Sequence, residues 1–146
     1  MIELTRAPLV PDAITAKVKA DRNGGVVTFL GTTRGASEGR RVLHLEYEAY
    51  PEMAKKKLEE IRQEVKENWG IEDVAISHRL GRLEIEDISL VVAVAAAHRK
   101  EAFQVCHYVV DRVKQIVPIW KKEFFEDGSH WVGCQEGGEG TMPSPF

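Results

Sequence analysis

Four cations and one histidine in this sequence stand where they could do chemistry. His98-Arg99 follows an unbroken apolar run, Leu90 to Ala97, and precedes residues that repeat with a helical period. The start of a helix leaves backbone N–H groups unpaired and carries the positive end of the dipole, so the corner suits a phosphate. Cations placed there are unfavourable by about 0.3–1 kcal/mol each. Two or three together call for a counter-anion; the other reading is a solvated basic corner. Arg34 closes Gly31-Thr32-Thr33-Arg34 ahead of a small, polar stretch, where it can swing onto an anion or serve as an ordinary loop arginine. Lys114 falls at the border of the helix's apolar stripe, one turn from Val110 and Val117. Partial burial there would lower its pKa and free an amine to act as base or nucleophile. The alternative is a lysine whose stem covers the core while its head stays in water. Lys121, directly after Trp120, has no distinguishing feature alone. His44, His78, His107 and His130 show no ligand spacing, and no zinc-type pattern is present.

The elements that must position these residues are legible from periodicity. Leu90 to Ala97 reads as a strand buried on both faces. Ala102, Val105, Cys106, Val109, Val113, Ile116 and Val117 then recur at steps of three and four, one face of a helix that Pro118 closes. Ahead of them come a short edge strand at Ile2 to Thr5 and a short helix over Ala13 to Ala20, capped by Asp12. A strand follows at Val26 to Leu30, then a mobile loop over Ala36 to Arg41. Val42 to Tyr50 alternates as a strand with Leu43, Leu45, Tyr47 and Ala49 on one side. Pro51 opens a second helix with the stripe Ala54, Leu58, Ile61, Val65 and Trp69, stopped by Gly70. Asp73 to Leu80 alternates, Gly81 breaks it before Leu83 and Ile85, and Glu86-Asp87 turns into the central strand. Ile119 to Phe125 and His130 to Cys134 form a hairpin about Asp127-Gly128. The order β-α-β-β-α-β-β-β-α-β-β implies an α/β or α+β fold, helices packed on a mixed sheet.

Composition sets the bounds. With 146 residues, 43% hydrophobic and 29% charged, the chain fits one globular domain, taken here as residues 1–135, with a Gly/Pro-rich tail at 136–146 that frays. A net charge of -3 argues against a general nucleic-acid binder. Two cysteines make no disulfide framework, and Cys106 lies on the apolar helix face. No segment reaches the ~20 apolar residues of a membrane span, and the N-terminus is not a signal peptide. A cytoplasmic protein is the expectation.

One distance constrains the assembly. Arg99 and Lys114 are 15 residues apart, which on one helix is about 22 Å. They cannot line one small-molecule pocket in one subunit. Either there are two sites, or a symmetric dimer builds each pocket from both copies; the second reading is preferred.

Five motifs, in order and at consistent spacing, carry a resemblance: VTFLGTTR (Val27 to Arg34), LEYEAYPEMA (Leu45 to Ala54), HRLG (His78 to Gly81), AAHR (Ala96 to Arg99) and VKQIVPIWKKE (Val113 to Glu123). Together, over about Gly25 to Val132, they resemble the large, catalytic subunit of molybdopterin synthase. The resemblance implies a hammerhead-like mixed sheet with packed helices plus a small additional β subdomain, and a central homodimer within a heterotetramer. It implies a small ubiquitin-like partner whose C-terminal Gly-Gly thiocarboxylate enters the site. The implied reaction moves sulfur from two such tails onto cyclic pyranopterin monophosphate, forming the dithiolene of molybdopterin with no cofactor or metal of the enzyme's own. By the same resemblance Lys114 and Lys121 are the essential lysines. Phe29, Arg34, His98 and Arg99 line the substrate pocket, the last two from the neighbouring subunit. Thr33 replaces an aliphatic residue frequent in the family, with little expected consequence. Where relatives often carry a basic residue after the tryptophan-valine pair, this chain has Gly133-Cys134-Gln135. Its own C-terminus, Pro145-Phe146, is not a Gly-Gly end, so the chain is expected to accept the tail. The competing readings are a non-enzymatic dimeric module for a phosphorylated ligand and a sulfur-relay scaffold.

Overall fold

The computed structural model describes residues 1–132; the strand end at Cys134, Gln135 and the tail lie outside them. Two sheets and three helices form an α+β fold. The first sheet contains β1 (Ile2–Thr5), β2 (Gly25–Thr32), β5 (Val74–Arg79) and β7 (Ile88–Ala96) in the order β1-β5-β7-β2. β1 runs parallel to β5; the other pairs are antiparallel. β7 sits inside the sheet because both its faces are apolar, and Ser89 to Ala96 are all buried. On one face Val92 and Val94 pack with Ile76 beneath α2 (Pro51–Trp69) and α3 (Arg99–Ile116). On the other, Val91, Ala93 and Ala95 meet Ile14 of α1 (Pro11–Ala16). Small side chains there let a six-residue helix sit close to the sheet.

α2 and α3 are clasped by one polar cluster. The Glu64 carboxylate accepts from Arg112 Nε at 2.9 Å and Nη2 at 2.8 Å, and from the Tyr108 hydroxyl at 2.7 Å. The paired fork geometry makes this stronger than a lone surface ion pair. It also commits that flank of α3 to α2, while among the described residues Phe103, His107 and Lys114 of the same helix stay exposed.

The second sheet is built on β4 (Arg40–Ala49). β8 (Ile119–Phe125) pairs along one edge and then β9 (Gly128–Val132), while β6 (Gly81–Glu84) lies on the other edge and β3 (Ala36–Ser37) pairs with the start of β4. Proline at 118 ends α3 and sends the chain directly into β8, which ties the helix exit to this sheet.

Several details depart from the sequence reading. Residues 36–41 are a tight hairpin, not a loop: Glu38 and Gly39 take φ of 52° and 75°, the two positive values that a type I′ turn requires. α1 ends at Ala16 and starts at Pro11, with Val10 rather than Asp12 as the capping residue. A bulge between Val42 and His44 shifts the alternation of β4, so Val42 is buried and Leu43 exposed. Val74 to His78 do not alternate; all are buried, since helices cover one face and α1 the other. The β8–β9 turn falls at Glu126-Asp127, one residue earlier than expected.

Candidate active site

The start of α3 is shaped by close backbone approach. His98 is the N-cap in extended conformation, with no side-chain cap bond. A Cβ on Gly25 would lie 3.2 Å from the Arg99 Cα, and one on Gly24 would lie 2.5 Å from the Ala97 carbonyl oxygen. Only glycine lets the start of β2 pass this tightly under the corner. His98, Arg99 and Lys100 are all exposed, and His98 stands on the rim of a cleft of about 470 Å³ that also includes Trp69, Asp73 and Glu101. Within α3 itself the only acidic residue of the first turn is Glu101.

The other end of α3 gathers a second group. Lys114 lies in its last turn, where a cation meets the negative end of the dipole. Lys121 comes from β8, opposite Tyr47 of β4. Arg34 follows β2. Its neighbour Thr33 is buried, with backbone N–H and hydroxyl both donating to the Asp87 carbonyl at 3.0 and 3.1 Å. The threonine hydroxyl is thus satisfied, and it fixes the point from which Arg34 projects. Burial lowers the Lys121 pKa from lysine's usual value of 10.5; nearby Glu123 opposes this, while the charges of Arg34 and Lys114 lower it further. Arg34, Lys114, Lys121 and Glu123 therefore share one electrostatic neighbourhood.

This corrects one expectation. Lys114 is exposed, not half-buried at the stripe border; the amine that burial tunes is Lys121. The cause is tertiary: Lys121 lies in β8, paired between Tyr47 of β4 and Val132 of β9, and is partly buried there, whereas Lys114 on the last turn of α3 is exposed. Phe29 lies midway along β2, opposite Val92 and packed against the core that includes Cys106. The fold brings Arg34, Lys114 and Lys121 together and holds His98 and Arg99 at the far end of the helix.

Three residues around the cluster carry no role in the reading of the sequence. Glu123, 5% exposed, lies two residues from Lys121 on the same strand and so on the same face; that spacing was the available signal. Tyr47 is hydrogen-bonded to Ser89, and burial, with a smaller push from Glu123, raises its pKa. His78 meets the Tyr47 ring edge-on at 5.0 Å. Its Nδ1 lies 2.8 Å from the Arg79 carbonyl oxygen; since a carbonyl only accepts, Nδ1 carries the proton. Burial lowers the His78 pKa to about 4. Unfolded chains take up that proton near pH 6.5 and native ones only near pH 4, so stability is lost as pH falls between those values, by about 3 kcal/mol. Urea titrations across this window should show that loss, and His78→Gln should flatten it; an unchanged slope would place the acid-sensitive group elsewhere.

Cys106 is buried, its thiol 3.9 Å from the Val92 carbonyl oxygen, and burial pushes its pKa up to about 11. Among the described residues no cluster of three or more His, Cys, Asp or Glu is arranged to hold a metal ion, and no helix is long and apolar enough to cross a membrane.

Residues 4–116 match the family described as MoaE protein. The chain is similar to the molybdopterin synthase catalytic subunit of Halalkalibacterium halodurans, 48% identical over 128 residues, covering 88% of this chain and 82% of that protein. Its fold matches the crystal structure of molybdopterin synthase from Staphylococcus aureus with a TM-score of 0.86 and 42% identity, over 89% of this chain and 95% of that one. At 19% identity and a TM-score of 0.75 it shares the fold of a chain in the complex of subunits 1 and 2 of molybdopterin-converting factor from Helicobacter pylori, over 97% and 93% of the two chains.

Proposed function

The chain belongs to the MoaE protein family, and on that premise we propose that it performs the sulfur-transfer step of molybdopterin synthase at the Arg34–Lys114–Lys121 cluster. The reaction brings two anions together: the C-terminal thiocarboxylate of a small ubiquitin-like partner and the phosphate of cyclic pyranopterin monophosphate. Sulfur from two such tails becomes the dithiolene. The observation that carries the reading is the convergence of two cations, Arg34 after β2 and Lys114 of α3, on the half-buried Lys121 amine of β8.

The chain's own groups divide the work by burial. Arg34 and Lys114, both exposed, hold the incoming anions, Arg34 by paired donors to phosphate. Lys121 is the tuned group. Its lowered pKa gives a larger share of neutral amine, able to accept a proton or hold a reacting carbonyl, and in its charged form it neutralises developing charge on the tail. Glu123 keeps that charge from being driven off altogether. His98 and Arg99 complete the phosphate site from a second copy of the chain, because about 22 Å of helix separates them from Lys114 in their own. Phe29 supplies an apolar wall toward the pterin.

Mixing the protein with a partner bearing a Gly-Gly thiocarboxylate and with cyclic pyranopterin monophosphate tests this reading. Oxidised dithiolene product should form in proportion to added thiocarboxylate. Tight partner binding without any product would leave a docking module and overturn the assignment.

A further inference from the structure

Tyr47 stands where the two sheets meet, and we propose that it is a positioning residue for Lys121, its hydroxyl tying the strands that carry Lys121 to the segment that carries Arg34. Tyr47 lies opposite Lys121 in the β4–β8 register. Directly opposed residues share a face of the sheet, their Cβ atoms about 4.5–5.5 Å apart, so the ring flanks the root of the Lys121 side chain. The same ring packs against the core beneath α2 and α3 and against the smaller cluster of Val42, Leu45 and Phe125. His78 of β5 meets it edge-on at 5.0 Å.

The polar end of Tyr47 reaches the first sheet. Its hydroxyl bonds to Ser89 of β7, and the Ser89 hydroxyl donates to the Gly31 carbonyl at 3.2 Å. With that proton committed, the Ser89 oxygen accepts from Tyr47. A relay of two hydroxyls thus runs from β4 to the end of β2. Just past Gly31 the register of β2 slips, Thr33 is pinned to the Asp87 carbonyl, and Arg34 follows. The relay sets how closely Arg34 and Lys121 approach.

Tyr47 does not work on the reactants. Its hydroxyl is spent on Ser89, and burial keeps its proton in place; it acts through the Lys121 amine. The charged groups around that amine are Glu123 on its own strand, Arg34 after β2 and Lys114 on α3. In β9 the register sets Val132 opposite Lys121 and His130 opposite Glu123. Without the Tyr47 hydroxyl, β8 relaxes away from the end of β2, water reaches the amine and the Arg34 charge recedes. Burial and that charge both lower the Lys121 pKa, so both losses raise it.

The use of this amine in catalysis rests on the function proposed above; its placement by Tyr47 does not. The test is the titration of Lys121 in the full chain, followed by carbon-13 NMR of protein labelled at the lysine Cε, with the resonance assigned by its loss in Lys121→Arg. Tyr47→Phe keeps the ring and should leave the circular dichroism unchanged, while Lys121 titrates at higher pH than in wild type. Ser89→Ala, which cuts the relay from its other end, should move it the same way, and the double variant no further than either alone. The single-turnover rate at neutral pH should fall about tenfold in each, the scale of one buried hydrogen bond. A Lys121 titration that is the same in wild type and Tyr47→Phe, or one that Ser89→Ala leaves in place, overturns the proposal. Partner and substrate are absent from the titration. A shifted titration in a protein that makes no product therefore supports the positioning and rejects the reaction, and product with an unshifted titration does the reverse.

Discussion

Lys121→Ala lowers the sulfur-transfer rate by about 10²–10³-fold, the scale of losing one preorganised group that meets developing charge, without weakening partner docking to the same degree. Lys121→Arg does not restore it, because a guanidinium keeps its proton at any accessible pH. The pH dependence carries the more specific signature. In wild type the rate rises with pH through the Lys121 pKa, which burial and the two neighbouring cations hold below 10.5. Removing one of those cations raises that pKa, so in Lys114→Ala the residual rate rises at higher pH than in wild type. Lys114 is exposed on the last turn of α3, and its removal should leave the fold intact. Single-turnover rates across a pH series would decide it: full activity in either alanine variant, or a limb that does not move in Lys114→Ala, would sink the assignment of roles.

Two severely impaired proteins mixed together should regain activity. Arg99→Ala and Lys114→Ala each disable every site of their own dimers when each pocket draws one residue from each copy. After exchange of subunits, half of the dimers are mixed, and each mixed dimer has one pocket with both residues and one with neither. The yield is about a quarter of wild-type sites, a consequence of two-fold symmetry alone. If Arg99 and Lys114 instead served separate sites, or one site within a chain, the mixture would do no better than its parents. Product formed after incubating the two variants, compared with each alone, is the measurement. The length of α3 between Arg99 and Lys114 is what predicts this result.

How much of this was legible beforehand depended on whether local pattern or distant packing decided each feature. β7 and α3 were readable because an apolar run gives way at His98 to a step of three and four, and no tertiary contact overrides so strong a signal. Pro51, Gly70 and Pro118 punctuated the chain where expected. β3 was hidden, since its turn is Glu38-Gly39 and only Gly39 announces a positive φ. The bulge in β4 reversed the exposure of Val42 and Leu43 for a reason lying in its pairing with β8. The lysines are the clearest case. A helical wheel places Lys114 at the edge of the stripe and says nothing of Lys121, yet the burial belongs to Lys121, because it comes from the pairing of β8 inside its sheet and the packing around it. The two-residue spacing sets Glu123 on the face of Lys121, but its burial there comes from packing.

Cys106 bears on how sulfur travels. Enzymes that pass sulfur through a thiol carry it as a persulfide, which needs an accessible cysteine able to form a thiolate. Cys106 offers neither: it is sealed beneath α3 against β7, and at neutral pH almost none of it is ionised. The described core thus contains no way-station for sulfane sulfur. On the reading proposed above, sulfur handed over at the Lys114 end of α3 does not pass through Cys106.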